Sequence, residues 1–407
     1  MDVLIRQARL NDGEALQDVA IENGKIVKIA PTIDGAAKEV IEADGRVLIP
    51  GLVESHIHLD KALIADREPN KSGTLKEAIQ VTAKLKPTFT EEDVYNRAKQ
   101  ALEMIIRRGA TTVRTHSEFD PAQGFTGFKM ILKLKEEYKD MIDMQVVAFP
   151  QEGIFKAPGT EQMMYEAMEM GADVVGGIPY NDAPANEHID LIFDIAKKYD
   201  KDIDLHQDFA DEADETSIEY LCEKTIKEGY EGRVSVGHLT ALHAMKKEEL
   251  DRVISKMAQA KINVMPLPAT DLHLGARNDE YNVRRAVTPI RKLRDAGVNI
   301  CLATNNIRNA FTPYGNGDLI QIAMLAVPVG HLGGADDLPT VLPMITENPA
   351  KALGLTDYGI AEGKKADLVL LDTKVKANAI IDIPERVYVI KNGRVTVKVD
   401  TKVTINR

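Results

Sequence analysis

The chain has 407 residues, of which 44% are hydrophobic and 28% are charged, so it can bury a large core. Its 51 basic and 63 acidic residues give a net charge of −12, which argues against nucleic acid as a partner, because nucleic-acid-binding proteins concentrate positive charge. The sequence shows no run of the roughly 18 apolar residues that a bilayer crossing needs, and its two cysteines lie far apart. We therefore expect a soluble, globular, enzyme-sized protein of the cytoplasm that has no membrane partner and no disulfide framework.

The first fifty residues predict short strands separated by turns. The strands are expected at 3–9, 17–22, 25–30, 40–42 and 46–49. Asn23-Gly24 favours a tight type I′ hairpin, and Asn392-Gly393 repeats that signal between predicted strands at the far end of the chain. We expect the two ends, residues 1–50 and 357–407, to pair into one small composite β-sandwich outside a central domain of residues 51–356.

The central segment alternates short apolar runs with amphipathic helices, which is typical of a parallel sheet with crossover helices. The predicted strands are 52–58, 111–116, 144–149, 173–178, 202–206, 233–238, 263–267 and 299–304. The predicted helices are 91–108, 124–138, 161–170, 216–228, 247–260 and 289–296. Eight such units predict an α/β fold of the (β/α)₈ TIM barrel type. The alternative is an open doubly wound sheet, but no GxGxxG turn follows the first predicted strand, and the sequence contains no Walker A motif.

Five of the nine histidines stand at the ends of predicted barrel strands: His56, His58, His116, His206 and His238. Since a barrel carries its active site at the carboxyl ends of its strands, these side chains should converge. Imidazole is the commonest ligand of Zn²⁺ and also suits Fe²⁺. We predict one divalent metal ion per chain, Zn²⁺ or Fe²⁺, held by His56, His58 and His206, with His116 in a supporting position.

Several segments together resemble the amidohydrolase superfamily, and within it the cytosine deaminase-like group, which includes N-isopropylammelide amidohydrolases. The matching segments are 50–60 (PGLVESHIHLD), 146–154 (VVAFPQEGI), 171–179 (GADVVGGIP), 204–206 (DLH), 236–243 (VGHLTALH), 297–301 (GVNIC) and 357–369 (DYGIAEGKKADLV). The resemblance implies that His238 orients the metal's water and that Gln151 contacts a substrate amide. It also implies hydrolysis of an exocyclic amine on a small nitrogen heterocycle, and relatives are often homo-oligomers.

The sequence departs from that family pattern at two positions. Asn305 stands where the family has an aspartate that accepts the water's proton, and Phe209 stands where cytosine deaminases have a glutamate that shuttles a proton to the ring. Three neutral imidazoles still lower the pKa of a zinc-bound water to about 7, so general-base work would pass to His238. Asp208, by strand alternation from His206, and Glu152 are further candidates for proton transfer.

The expected chemistry is hydrolytic deamination of a small cyclic amidine, with ammonia as the leaving group. Gln151 would read the ring through paired donor and acceptor groups, beside an apolar wall formed by Phe209. Asn306 and Arg308 are candidate substrate contacts, the alternative being that they cap a loop. Candidate substrates are cytosine, creatinine, a pterin and an aminotriazine, and the loss of the glutamate favours a ring that is already basic, such as creatinine. Cleavage of a cyclic amide, or ligand binding with weak or no turnover, are the other functions that the sequence leaves open.

Overall fold

The computed structural model describes residues 1–214 and 216–406. The strands, in chain order, are β1 (Val3–Ala8), β2 (Gln17–Glu22), β3 (Lys25–Ala30), β4 (Glu39–Glu42), β5 (Val47–Pro50), β6 (Leu52–Ile57), β7 (Ala110–Glu118), β8 (Asp143–Phe149), β9 (Val174–Gly177), β10 (Asp202–Gln207), β11 (Val234–His238), β12 (Asn263–Met265), β13 (Asn299–Ile300), β14 (Leu368–Leu371), β15 (Arg386–Lys391) and β16 (Arg394–Lys398). The α-helices are α1 (Leu75–Leu85), α2 (Glu91–Arg107), α3 (Thr126–Glu137), α4 (Thr160–Glu169), α5 (Ala185–Tyr199), α6 (Ile218–Glu228), α7 (Lys247–Gln259), α8 (Pro268–Leu274), α9 (Ile290–Asp295), α10 (Leu319–Val329), α11 (Glu347–Ala352) and α12 (Asn378–Ile381).

Strands β6 to β13 form one eight-stranded parallel sheet in which neighbours in sequence are neighbours in space. Its two ends meet: Asn305 N donates to His56 O at 2.9 Å, and His58 N donates to Asn305 O at 2.9 Å. The sheet therefore curls into a TIM-like barrel, and the predicted α/β class is confirmed. Each predicted strand overlaps an observed one, but the last is wrong in length, because β13 has only two residues.

The helices outside the sheet follow from amphipathic sequence and from capping. In α2, Thr90 accepts a hydrogen bond from Asp93 N, and Glu91 and Glu92 place negative charge in the first turn, where the helix dipole favours it. The apolar face of α2 then packs on the barrel core. Helices α1, α5, α8, α10, α11 and α12 were not among the predicted elements. No helix in the described part of the chain has the length and hydropathy that a bilayer crossing requires.

The chain ends form two further sheets, each of four strands. One has the order β3-β2-β1-β4 and the other β16-β15-β14-β5, so that β5 joins the N-terminal segment to the C-terminal strands. Buried side chains from both sheets share one apolar cluster, among them Ile5, Leu48 and Ile390. Both residues of Asn23-Gly24 and of Asn392-Gly393 have positive φ, as a type I′ turn demands. These sheets agree with the expected sandwich, whereas the domain boundaries at 50 and 357 stay a prediction.

Candidate active site

Three imidazoles meet at the carboxyl end of the barrel. His56 lies on β6, His58 directly follows it, and His206 lies on β10, across the barrel. His58 Nε2 and His206 Nε2 are 3.0 Å apart, and the ring centroids of His56 and His206 are 4.6 Å apart. All three side chains are buried. The structure thus brings together the three residues that the sequence singles out as metal ligands.

The chemistry of this donor set fits a divalent cation. Both ring nitrogens of His56 and the Nδ1 atoms of His58 and His206 are buried without a hydrogen-bond partner among the described residues, which is costly unless something else binds them. Burial, reinforced by neighbouring cationic groups, holds the pKa values of these histidines well below their usual value. They are therefore neutral and keep lone pairs for a metal. One ligand atom from each residue lies within 4.8 Å of the others.

A buried ionic layer supports the histidines from inside the barrel. Asp204 Oδ2 accepts from Arg114 Nη1 at 2.9 Å, its Oδ1 lies 3.2 Å from His116 Nε2, and the same oxygen is 3.8 Å from His56 Nδ1. In a second group, one ligand atom from each of His56, His116 and Asp204 also lies within 4.8 Å of the others. Because Asp204 is already paired with Arg114, the group formed by His56, His58 and His206 fits a cation better than the group that contains Asp204. Asp204 was not predicted, although its place two residues before His206 gives it the same inward direction.

His238 ends β11 and is held on two sides. Its Nδ1 lies 2.7 Å from Asp271 Oδ1, and its ring stacks on Phe209 with centroids 4.2 Å apart and an interplanar angle of 6°. Burial raises the pKa of Asp271, against the opposing effect of His238. With Asp271 accepting the Nδ1 proton, Nε2 is left as a base at the pocket. Asp271, in α8, was missed by the sequence analysis.

The segment after β13 contributes Asn305 and Asn306 to the pocket. Asn305 Oδ1 is buried and has no hydrogen-bond partner among the described residues, whereas Asn306 Oδ1 accepts from Asn309 Nδ2 at 2.7 Å. Arg308 is exposed, and its Nε donates to Gly315 O at 3.1 Å. The side chain of Arg308 thus caps the loop outside the pocket, which is the alternative that the sequence left open, and its role as a substrate contact stays a prediction.

Two carboxylates proposed for proton transfer lie elsewhere. The backbone of Asp208 is left-handed, with φ of 44°, so strand alternation ends before it. Its carboxylate instead accepts from Gln207 Nε2 at 2.7 Å and from the backbone amides of Ser217 and Ile218, both at 3.1 Å, at the start of α6. Burial raises the pKa of Asp208 to about 6. Neither Asp208 nor Glu152 lines the pocket, and a part for either in proton transfer stays a prediction that this placement does not favour.

A buried ion-pair network that the sequence analysis did not find surrounds Gln151. Lys61 Nζ donates to Gln151 Oε1 at 3.0 Å and also bonds the Glu118 carboxylate. Lys86 Nζ lies 2.7 Å from Glu118 Oε2 and 2.7 Å from Glu152 Oε1. Burial alone would raise the pKa of Glu118, but the two ammonium groups lower it to about 2. Gln151 Oε1 thus already accepts one hydrogen bond within the protein, and the expected contact of Gln151 with a substrate stays a prediction.

Together these side chains enclose a narrow pocket. It is lined by His58, Lys61, Leu75, Gln151, Tyr180, His206, Phe209, His238, Asn305, Asn306 and Phe311. Helix α1 forms its outer wall, because Ala78 and Val81 pack in one apolar cluster with Phe209 and Phe311. The free space for water-sized molecules is about 10 Å³, close to that of one water.

A TIM-like barrel with a histidine cluster that fits a metal ion, and with a carboxylate-held histidine at the strand ends, is an arrangement typical of metal-dependent hydrolases. The Amidohydrolase family matches residues 39–397, and the chain belongs to that family. It is an enzyme of the group that hydrolyses carbon–nitrogen bonds in heterocycles.

Relatives of known activity extend over nearly the whole chain. N-isopropylammelide isopropyl amidohydrolase of Pseudomonas sp. (strain ADP) is 34% identical over 405 residues, which cover 98% of this chain and 97% of that protein. The crystal structure of 5-methylcytosine deaminase from Klebsiella pneumoniae liganded with 5-fluorocytosine has a TM-score of 0.94 at 34% identity and covers 99% of both chains. Pterin deaminase of Rhizobium rhizogenes (strain K84 / ATCC BAA-868) is 28% identical over 370 residues, 89% of this chain and 84% of that protein.

Proposed function

We propose that this enzyme is a hydrolytic deaminase of a small cyclic amidine that carries a ring carbonyl, and that creatinine is the substrate that best suits its pocket. The overall reaction adds water across the amidine carbon and releases ammonia, so that an exocyclic C–NH₂ becomes a C=O. The observation that carries the proposal is the convergence of His56, His58 and His206 with the His238–Asp271 pair at one narrow pocket.

We assign His56, His58 and His206 to a single divalent ion, Zn²⁺ or Fe²⁺. When bound, such an ion supplies Lewis acidity and a water of lowered pKa. His238 accepts a proton at Nε2 and returns it to the departing amino group, while Asp271 stabilises the imidazolium through Nδ1. Asn305 cannot take a proton, but its unpartnered Oδ1 can accept a hydrogen bond from the amino group.

The composition of the pocket supports a basic, compact ring. Phe209 fills the space beside His238 with an apolar face and offers no proton for a ring nitrogen. A substrate with an intrinsically basic amidine therefore has an advantage over cytosine. The second candidate is an aminotriazine, which the 34% identity to the N-isopropylammelide enzyme favours.

An ammonia-release assay across creatinine, cytosine, a pterin and ammelide tests the proposal, with protein loaded with Zn²⁺ or Fe²⁺. We expect release from creatinine to exceed release from cytosine. A ring-opened product without ammonia would instead identify cyclic-amide hydrolysis. Metal-loaded protein that binds these rings without converting them would identify a binding protein, and either outcome overturns the proposal.

A further inference from the structure

Lys61 and Gln151 come from separate segments, and each offers a hydrogen-bond donor to the same pocket. The amide oxygen of Gln151 already accepts a hydrogen bond from Lys61. Lys61 follows the His56–His58 strand, and Gln151 follows β8. A lysine ammonium can only donate, so the Gln151 atom that lies 3.0 Å from Lys61 Nζ must be the carbonyl oxygen. That contact fixes the orientation of the amide. Gln151 Nε2 is then left to donate, and it has no acceptor among the described residues.

Lys61 is held firmly enough to act as a fixed donor. Its side chain is only 3% exposed, its ammonium bonds Glu118, and it lies 4.4 Å from the ring centroid of Phe311. Glu118 is fixed in turn by Lys86, and its backbone N donates to Asp60 Oδ2 at 2.6 Å. Two of the three ammonium protons of Lys61 therefore bind Glu118 and Gln151. The third has no oxygen acceptor among residues 1–214 and 216–406.

We propose that Lys61 and Gln151 form a donor-only recognition edge that selects rings with two adjacent acceptors, an unprotonated ring nitrogen and a carbonyl oxygen, beside the amidine carbon. This inference rests on the proposed deaminase function and names what its substrate must display. We call the pair of N–H groups, from Lys61 Nζ and Gln151 Nε2, the donor edge.

The donor edge distinguishes a substrate from its product. Creatinine in its amino form presents a ring nitrogen lone pair next to a carbonyl oxygen, and both accept. Its deamination product, 1-methylhydantoin, has an N–H at the same ring position, which would face the donor edge without an acceptor. A donor left unpaired in a buried site is costly, so the edge favours binding of the substrate and release of the product.

The same contact acts during the reaction. As the oxygen of water bonds to the amidine carbon, the electron pair of the ring C=N bond moves onto the ring nitrogen, and His238 carries one proton of that water to the amino group. The pair then re-forms the C=N bond as the C–NH₃ bond breaks and ammonia leaves. The remaining O–H proton finally moves to the ring nitrogen, which gives the carbonyl product with its ring N–H. An N–H of the charged Lys61 stabilises that developing negative charge without any reorganisation. Lys61 is thus a catalytic residue that stabilises charge at the ring nitrogen by a hydrogen bond, without transferring a proton to it.

Matched variants test the donor edge. Lys61→Met removes the ammonium at similar length, and Gln151→Met removes only the amide donor. Lys135→Met is the control, because Lys135 also forms an ion pair, with Asp173, but neither contacts Glu118 nor lines the pocket. We expect kcat/KM for creatinine to fall roughly tenfold to hundredfold in the first two variants, with Lys61→Met also lowering kcat, and to change less than about threefold in the control.

Binding to metal-free protein, measured by calorimetry, gives a readout that does not depend on turnover. Wild type should bind creatinine about tenfold or more tightly than 1-methylhydantoin, and Lys61→Met should lose that preference. Equal affinity of wild type for the two rings, or a preference that survives in Lys61→Met, overturns the donor edge even if ammonia is released. Absence of ammonia release from every ring overturns the proposed function, whereas the binding comparison still decides the donor edge.

Discussion

The Asp271–His238 pair gives the sharpest test of the proton-transfer assignment. Asp271 Oδ1 is 2.7 Å from His238 Nδ1, and both side chains are buried. In an Asp271→Asn variant, the amide can donate to Nδ1, which moves the imidazole proton to Nε2 and removes the base from the pocket. Where a buried aspartate fixes a catalytic histidine in this way, the same substitution costs about 10⁴ in kcat.

We therefore expect kcat for ammonia release to fall roughly 10³-fold to 10⁴-fold, equivalent to about 4–5.5 kcal/mol of transition-state stabilisation. Bound metal should remain near the wild-type level, because Asp271 contacts none of the three assigned ligands. Asp208→Asn is the matched control, since Asp208 is an equally buried carboxylate that bonds the start of α6 outside the pocket. Its kcat should stay within a few-fold of wild type. The reasoning is refuted if Asp271→Asn keeps a tenth or more of wild-type kcat.

Three further expectations follow from individual contacts. A Cβ added at Gly237 would lie 2.6 Å from His56 Cε1, so Gly237→Ala should lower the amount of zinc bound per chain. Gly333→Ala is the control and should not lower it, because the nearest atom to its added Cβ is 3.5 Å away. Equal metal content in the two variants would contradict this expectation. The Asp182 carboxylate accepts four backbone N–H bonds and contacts a buried histidine, which together outweigh burial and lower its pKa. The stability that Asp182 contributes is present above pH about 4 and is lost as the pH falls further. The free energy of unfolding of metal-free Asp182→Asn, measured in urea, should therefore fall less steeply with acid than that of wild type. If the two plots of free energy against pH run parallel, this reasoning is refuted. Phe209→Glu should gain ammonia release from cytosine and lose thermal stability, because it buries a carboxylate in place of an aromatic ring; unchanged cytosine activity would count against the proton-shuttle reasoning.

The barrel was predictable because its apolar runs and amphipathic helices alternate regularly, and the hairpins because Asn-Gly supplies two residues that tolerate positive φ. The eighth strand was predicted too long for a physical reason. Cys301 N still bonds Val264 O of β12, but Leu302 N donates to Met344 O at 2.8 Å and leaves the ladder. The apolar sequence of 299–304 is equally compatible with a strand and with this buried irregular segment.

The convergence of His56, His58 and His206 was predictable because they close strands whose ends must meet. Asp208 was misplaced because one left-handed residue ends the alternation, and sequence period alone does not show where that occurs. Asp271 and Lys61 were missed because each lies beyond a strand end, where the direction of a side chain depends on tertiary packing. The sequence signal that could have pointed to Lys61 was its position only three residues after His58, close to the expected site.

Titration of metal-free protein with Zn²⁺, and separately with Fe²⁺ under anaerobic conditions, tests the central claim most directly when ammonia release from creatinine is followed against bound metal. The account predicts that the rate rises in proportion to bound ion and reaches its plateau at one ion per chain. A rate that does not depend on metal, or the absence of ammonia release when one ion is bound per chain, would contradict it.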